Sequence, residues 1–221
     1  MRTSSLSKGS GAPDAMSPRY RLFRGLLRTL ARIFLGFEVH GQENTPKSGP
    51  LVVAANHARF FDPVFVCMAV PRRLQWMAKK ELFVFPFRKF FAFIGSFPVD
   101  RASGGRSALR MALKLLSEGW TLGIFPEGTR RKEGVSPEVK SGAIMLAVRG
   151  KAPVLPVYID KIPGPAARIR GAKWHAYIGK PINIDNTTRG RESYREAADL
   201  ILREIYTLPE DYSSVEREEE K

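Results

Sequence analysis

Cysteine is almost absent from this chain: its 221 residues include one, Cys67. A disulfide framework is excluded, and a reducing compartment is the natural setting. Cys67 lies within the apolar run Val64–Val70, where it reads as a small buried residue rather than a nucleophile. Histidine is nearly as scarce. Three histidines without cysteine partners give no zinc-ligand spacing, so no metal is expected. No stretch of about 18 uncharged apolar residues occurs, so no segment reads as a membrane-spanning helix. Residues 1–17 are rich in Ser, Gly and Pro; they lack the apolar core of a signal peptide and are expected to be disordered. There is no internal repeat.

Acid is also in short supply. Asp and Glu total 22 against 36 Lys and Arg, a net charge of +14. Such a balance implies an anionic partner: a phosphate-bearing substrate, an anionic membrane, an acidic carrier protein or nucleic acid. No helix-turn-helix, RNA-recognition or zinc pattern accompanies the charge, and the basic residues are spread over separate segments. Nucleic acid is therefore not the expected partner. The length suits one domain, and the composition is globular.

What is present begins at Pro18. To about Gly36 the pattern is helical, with Leu22, Phe23, Leu26, Leu27, Leu30, Ile33 and Phe34 on one face. Arg21, Arg24, Arg28 and Arg32 fall opposite, and no acid occurs from Ala15 to Phe37. Residues 18–36 are expected to be a basic amphipathic helix lying in a membrane interface. The alternative is a helix packed on the domain with its Arg face exposed.

The most informative stretch is Ala55-Asn56-His57-Ala58-Arg59-Phe60-Phe61-Asp62-Pro63. The short apolar run Leu51–Ala54 before it reads as a buried strand. The run after it reads as a helix, with Asp62 as N-cap and Pro63 at the first helical position. Residues five apart on one continuous helix point about 140° from each other. Across a turn they can meet, and a carboxylate that holds an imidazole fixes its tautomer and makes it a general base. The bland alternative is an Asp that only caps its helix. A second strand runs into Phe125-Pro126-Glu127-Gly128-Thr129-Arg130, a turn followed by cations. Gly128 permits close backbone approach, and Arg130 offers a planar fork suited to phosphate.

Together these stretches resemble the glycerolipid acyltransferases, and most nearly the lysophosphatidic acid acyltransferases in their short bacterial form. His57 and Asp62 are similar to the family's His-x4-Asp motif, and Phe125–Arg130 to its second block. Gly95–Arg101 resembles an intermediate motif ending in Asp-Arg, Lys140-Ser141-Gly142-Ala143 a Lys-x-Gly-Ala segment, and Val154–Tyr158 a Pro-containing strand. Order and spacing agree over roughly residues 20–185. Arg59 departs from the family, which often carries Ser there, and this leaves the local loop contacts open.

The resemblance implies transfer of a fatty acyl group from a thioester to the free hydroxyl of lysophosphatidic acid, making phosphatidic acid. His57 would be the catalytic base and Asp62 its orienting partner. Arg101, Glu127, Gly128, Thr129, Arg130 and Lys140 would bind substrate, with Arg130 first on the phosphate. No metal or cofactor is implied; acyl-CoA or acyl carrier protein would be the co-substrate, and the acceptor a membrane lipid. The expected location is peripheral, on the cytoplasmic side of the cell membrane, against an anionic surface. Alternatives are acylation of another lysolipid or of glycerol 3-phosphate, or a non-catalytic lipid- or nucleic-acid-binding basic protein.

Elsewhere strands alternate with helices, which argues an α/β domain; the resemblance implies a central mixed sheet flanked by helices. The catalytic domain is expected over residues 37–208. Leu82–Phe97 holds seven phenylalanines and two charges and reads as packed core or, alternatively, as an acyl channel or a patch that dips into lipid. Pro86 should split it into two short helices. A last helix is expected over Arg191–Leu208, and residues 209–221, with six acids against two bases, as a solvated acidic tail.

Overall fold

The computed structural model describes residues 16–99, 106–128, 142–184 and 190–219. Seven strands form one sheet: β1 (Phe37–His40), β2 (Leu51–Ala55), β3 (Leu74–Lys79), β4 (Ser96–Val99), β5 (Thr121–Ile124), β6 (Val154–Ile159) and β7 (Trp174–Ile178). Seven α-helices accompany them: α1 (Pro18–Leu35), α2 (Asp62–Ala69), α3 (Phe87–Phe93), α4 (Arg106–Ser117), α5 (Gly142–Gly150), α6 (Pro165–Ile169) and α7 (Arg191–Glu219). The strand order is β1-β7-β6-β2-β5-β3-β4. Every pairing is parallel except β6 with β7. The sheet is therefore mixed, as expected.

Strand β2 lies at its centre, and all five of its residues are buried. Burial on both faces explains its unbroken apolar sequence. Leu51, Val53 and Ala55 face a core shared with Ala31 of α1 and with Val66–Ala69 of α2. Val52 and Ala54 face the other core, shared with Leu115 and Leu116 of α4, Ile144 of α5 and Ile201 of α7. The result is a sandwich of helix, sheet and helix. The C-terminal ends of β2, β5 and β6 lie side by side, the place where open α/β sheets carry their sites.

Helix α1 forms where the pattern places it. Ser17 caps its N-terminus by accepting from the Tyr20 N–H, and Gly36 ends it in the left-handed conformation at φ 62°. It packs on the domain, but not with the wholly exposed Arg face of the packed alternative. Tyr20, Phe23, Leu27, Ala31 and Leu35 pack inward, and Arg24 goes with them. The Arg24 guanidinium donates to the carbonyls of Cys67, Met68 and Ala69, which are orphaned at the C-terminus of α2. Arg28 donates to Oε1 of Gln42. Leu22, Leu26, Leu30, Ile33 and Phe34 are left exposed. Half of the expected Arg face thus serves the fold, and much of the apolar face meets the surroundings.

Leu82–Phe97 is not the packed core it was expected to be. A 3-10 turn, Lys80–Leu82, precedes Pro86 and α3 follows it. No residue of α3 is buried, and Phe85 is 95% exposed. Phe93 packs on Tyr20 and Phe23 of α1, so the two exposed apolar surfaces are neighbours.

The expected tail also differs. Helix α7 continues through Pro209 to Glu219. Proline lacks an N–H, so one intrahelical bond is forgone there without ending the helix. Ala198, Ile201, Ile205 and Leu208 form its buried stripe, and Tyr212 extends it. The Tyr212 hydroxyl donates to the Ile178 carbonyl at 2.7 Å and accepts from Nδ2 of Asn44. The domain boundary at residue 208 is thus replaced by a helix that stays docked at least to Tyr212.

Candidate active site

The ladder between β2 and β6 ends at Ala55 opposite Val157. Asn56 extends it with its side chain. Its Nδ2 donates to the Ile159 carbonyl at 3.0 Å, and its Oδ1 accepts from the Ile159 N–H at 2.8 Å. The loop that follows leaves the sheet from a fixed point. Asn56 acts over 103 residues of sequence, not locally as a turn former does.

Four residues further on, the chain turns back. Phe61, not Asp62, occupies the N-cap position of α2, and its side chain makes no capping bond. The carboxylate of Asp62 points into the loop instead. Its Oδ2 accepts from the N–H groups of Ala58 and Arg59, each at 2.6 Å, and lies 3.0 Å from Nδ1 of His57. The capping expectation fails because the loop N–H groups compete for the same oxygen. The pairing expectation holds: strand end and helix start bring His57 and Asp62 together. Asp62 is 2% exposed, while the His57 side chain keeps 17%. A carboxylate fixed at Nδ1 places the ring proton there and leaves Nε2 as the basic nitrogen.

The face of the imidazole is also fixed. It stacks on Phe125 at a centroid distance of 4.0 Å, and Phe125 stacks on Trp76 at 5.0 Å. Trp76 lies over Gly123, where an added Cβ would meet the indole at 2.6 Å. Glycine in β5 is thus required by the ring that supports the ring beneath His57. Trp76 Nε1 donates to Sγ of Cys67, and burial pushes that thiol's pKa up. Cys67 is accordingly a core residue, as its apolar neighbours suggested.

Glu127 follows β5 and is buried. Its Oε1 accepts from the His57 N–H at 3.3 Å and from the Tyr206 hydroxyl at 2.7 Å. Its Oε2 is buried and has no hydrogen-bond partner among the described residues. The second block is therefore tied to the first through Glu127, and to α7 through Tyr206. Gly128, at φ 69°, closes the turn with its N–H on the Phe125 carbonyl. Arg59, at the position of departure from the family, reaches the Asp160 carbonyl at 3.4 Å, beyond the end of β6. Arg101, Thr129, Arg130 and Lys140 lie outside the described residues. Tyr206 was not anticipated: its ring looks like one more core aromatic, and nothing in the sequence links it to Glu127.

A strand-end histidine held by an aspartate, beside a second strand-end glutamate, sits within a recognised family. The acyltransferase family model matches residues 36–160. The chain belongs to the acyltransferase family. It is 33% identical over 166 residues to the 1-acyl-sn-glycerol-3-phosphate acyltransferase of Bacillus subtilis, covering 74% of this chain and 82% of that one. The enzyme of the same name from Streptococcus pneumoniae is 28% identical over 198 residues, 87% of this chain and 74% of its own. Among solved structures, the 1-acyl-sn-glycerophosphate acyltransferase of Thermotoga maritima matches with a TM-score of 0.62 at 26% identity, covering 88% of this chain and 84% of that one. In this acyltransferase the family match spans β1 to β6, so His57, Asp62 and Glu127 fall inside it. Tyr206 falls outside.

Proposed function

We propose that this acyltransferase moves a fatty acyl group from a thioester to the free hydroxyl of lysophosphatidic acid, making phosphatidic acid. The observation that carries the reading is the His57–Asp62 pair, with Nε2 left basic beside a buried glutamate. The acceptor oxygen attacks the thioester carbonyl while Nε2 of His57 takes its proton. The tetrahedral adduct then collapses, the C–S bond breaks, and the thiolate recovers the proton from the imidazolium. A thioester is already activated, so the reading invokes no acyl-enzyme. Glu127 Oε2, an acceptor without a donor among the described residues, suits a hydroxyl of the glycerol. Arg130, just beyond this turn in sequence, is assigned to the acceptor's phosphate, with Arg101 and Lys140 beside it and Gly128 and Thr129 shaping the approach. The donor is acyl-CoA or acyl carrier protein.

The acceptor resides in a bilayer, yet no described helix is long and apolar enough to cross one. The exposed Leu22, Leu26, Leu30, Ile33 and Phe34 of α1 and the exposed Val84, Phe85, Phe87 and Phe90 support peripheral docking on a membrane. Exposed Arg21 and Arg32 add attraction to an anionic leaflet of about 1 kcal/mol each. Phe60 and Phe61, in the catalytic loop, are exposed, and Phe60 meets Phe91 of α3. That aromatic path suits an acyl chain passing from the lipid to His57.

The test is release of free thiol from acyl-CoA and from acyl carrier protein against a panel of lysophospholipids and glycerol 3-phosphate. Turnover that depends on lysophosphatidic acid supports the reading. Equal turnover with lysolipids that lack a terminal phosphate monoester contradicts it. Arg130→Ala is expected to raise the acceptor KM and spare the donor KM; the reverse pattern moves Arg130 to the donor.

A further inference from the structure

A second group of polar side chains lies at the far edge of the sheet. Strand β1 is the edge, and it pairs in parallel with β7, Glu38 opposite His175 and His40 opposite Tyr177. Phe37 and Val39 turn to the α1 side of the sheet, as do Trp174 and Ala176. Alternation therefore puts Glu38, His40, His175 and Tyr177 together on the other face. Two of the chain's three histidines, 135 residues apart in sequence, meet there.

Their spacing fits a shared metal ion as well as the hydrogen bond the two rings make with each other. His40 Nε2 lies 3.0 Å from His175 Nδ1. Two imidazole nitrogens each about 2.0–2.1 Å from one ion, at an angle between right and tetrahedral, stand about 2.8–3.4 Å apart. Glu38 Oε2 is 3.8 Å from His175 Nδ1, and one ligand atom from each of the three residues lies within 4.8 Å of the others. The ligands are oriented by their surroundings. Both imidazoles stack on Tyr177, at 4.9 Å for His40 and 5.8 Å for His175. Lys173 Nζ holds the other glutamate oxygen, Oε1, at 2.6 Å and so fixes the carboxylate's orientation. The Tyr212 hydroxyl, nearby on α7, is already engaged with Ile178.

We propose that Glu38, His40 and His175 bind one divalent transition-metal ion of the zinc class, with water completing the shell. Two imidazoles and one carboxylate match the preferences of Zn²⁺ and exclude Mg²⁺ and Ca²⁺ as preferred ions. The ion joins an edge strand to its neighbour at a point separate from His57. It is a clip for β1, and through Gly36 for α1, and takes no part in acyl transfer. Sequence spacing could not show it, because the ligands meet only through the β1–β7 register.

Metal-free full-length protein is titrated with ZnSO₄, following bound zinc by equilibrium dialysis and the thermal midpoint in parallel. One equivalent of Zn²⁺ and a raised midpoint are expected. His40→Ala and His175→Ala should each weaken binding by at least about 10-fold, the range seen even for residues that only support a ligand. His57→Ala, which removes the third histidine, should leave the zinc affinity unchanged. Glu38→Gln gives an additional variant, with lesser loss, should either alanine variant fail to fold. Absence of stoichiometric zinc on the wild-type protein overturns the proposal, as does zinc that is lost with His57 and retained without His40 and His175.

Discussion

The Tyr206 hydroxyl donates to Oε1 of Glu127 at 2.7 Å, joining the last helix to the turn beside His57. Three segments meet on one carboxylate: the loop after β2 through the His57 N–H, the turn after β5 that carries Glu127, and α7 through Tyr206. A carboxylate with one oxygen committed in this way has a fixed orientation, and its Oε2, without a partner among the described residues, is aimed as well. The consequence for catalysis is positional.

Tyr206→Phe tests this directly. The ring still packs edge-on to Tyr158, so the core is kept. One hydrogen bond to a charged group is lost, worth about 1.5–3 kcal/mol when intact. The expected outcome is a fall in kcat/KM of about 10-fold or more, with far-ultraviolet circular dichroism unchanged. Unaltered kinetics would assign Tyr206 to packing alone.

Glu127→Gln separates stability from function. A buried carboxylate oxygen without a partner costs stability, and Oε2 has none among the described residues. The amide keeps an acceptor for Tyr206 and removes the buried charge. The expected outcome is an unchanged or raised Tm together with reduced use of the acceptor, measured by thermal unfolding and steady-state kinetics on one preparation. A lowered Tm with normal kinetics would make Glu127 a structural residue.

Helix α1 offers two substitutions with opposite expectations. Leu26→Ser removes apolar surface that is exposed in the protein and should weaken vesicle sedimentation with little change in Tm. Arg24→Ala removes the side-chain donor of the Cys67 and Met68 carbonyls at the end of α2, leaving Ala69 to Gln42, and should lower stability by about 2 kcal/mol or more. The membrane share of Arg24 is small, because its guanidinium is half-buried and committed to the end of α2. Raised salt should weaken vesicle binding without abolishing it, since only the charge attraction is screened.

Much of the site was legible because its signals are local. A β-branched run, a turn and a proline-started helix place His57 near Asp62 whatever the rest of the chain does, and the Phe-Pro-Glu-Gly turn marks the end of β5 equally well. What stayed hidden depends on distant partners. Asn56 reaches Ile159, Tyr206 reaches Glu127 over 79 residues, and Arg24 reaches the end of α2 over 43; periodicity is silent on all three. The inward turn of Arg24 and Arg28 on α1 stayed hidden because amphipathicity names two faces without saying which residues meet the domain. Seven phenylalanines in Leu82–Phe97 suggested core for a similar reason: composition records apolar area but not what covers it. Residues 209–221 read as a solvated tail for their charge, although Tyr212 falls on the stripe of Ile201, Ile205 and Leu208 and keeps α7 docked beyond Pro209.

The central claim is that His57, held at Nδ1 by Asp62, removes the acceptor's proton. The most direct measurement is acceptor-dependent thiol release by His57→Ala, with Asp62→Asn alongside and folding verified for both. General-base catalysis typically contributes about 10²–10⁴-fold, so the alanine variant should lose at least that much with its Tm little changed. Asp62→Asn should be similarly severe, because an amide can hold the imidazole in the wrong tautomer. Near wild-type thiol release from a correctly folded His57→Ala protein would contradict the account.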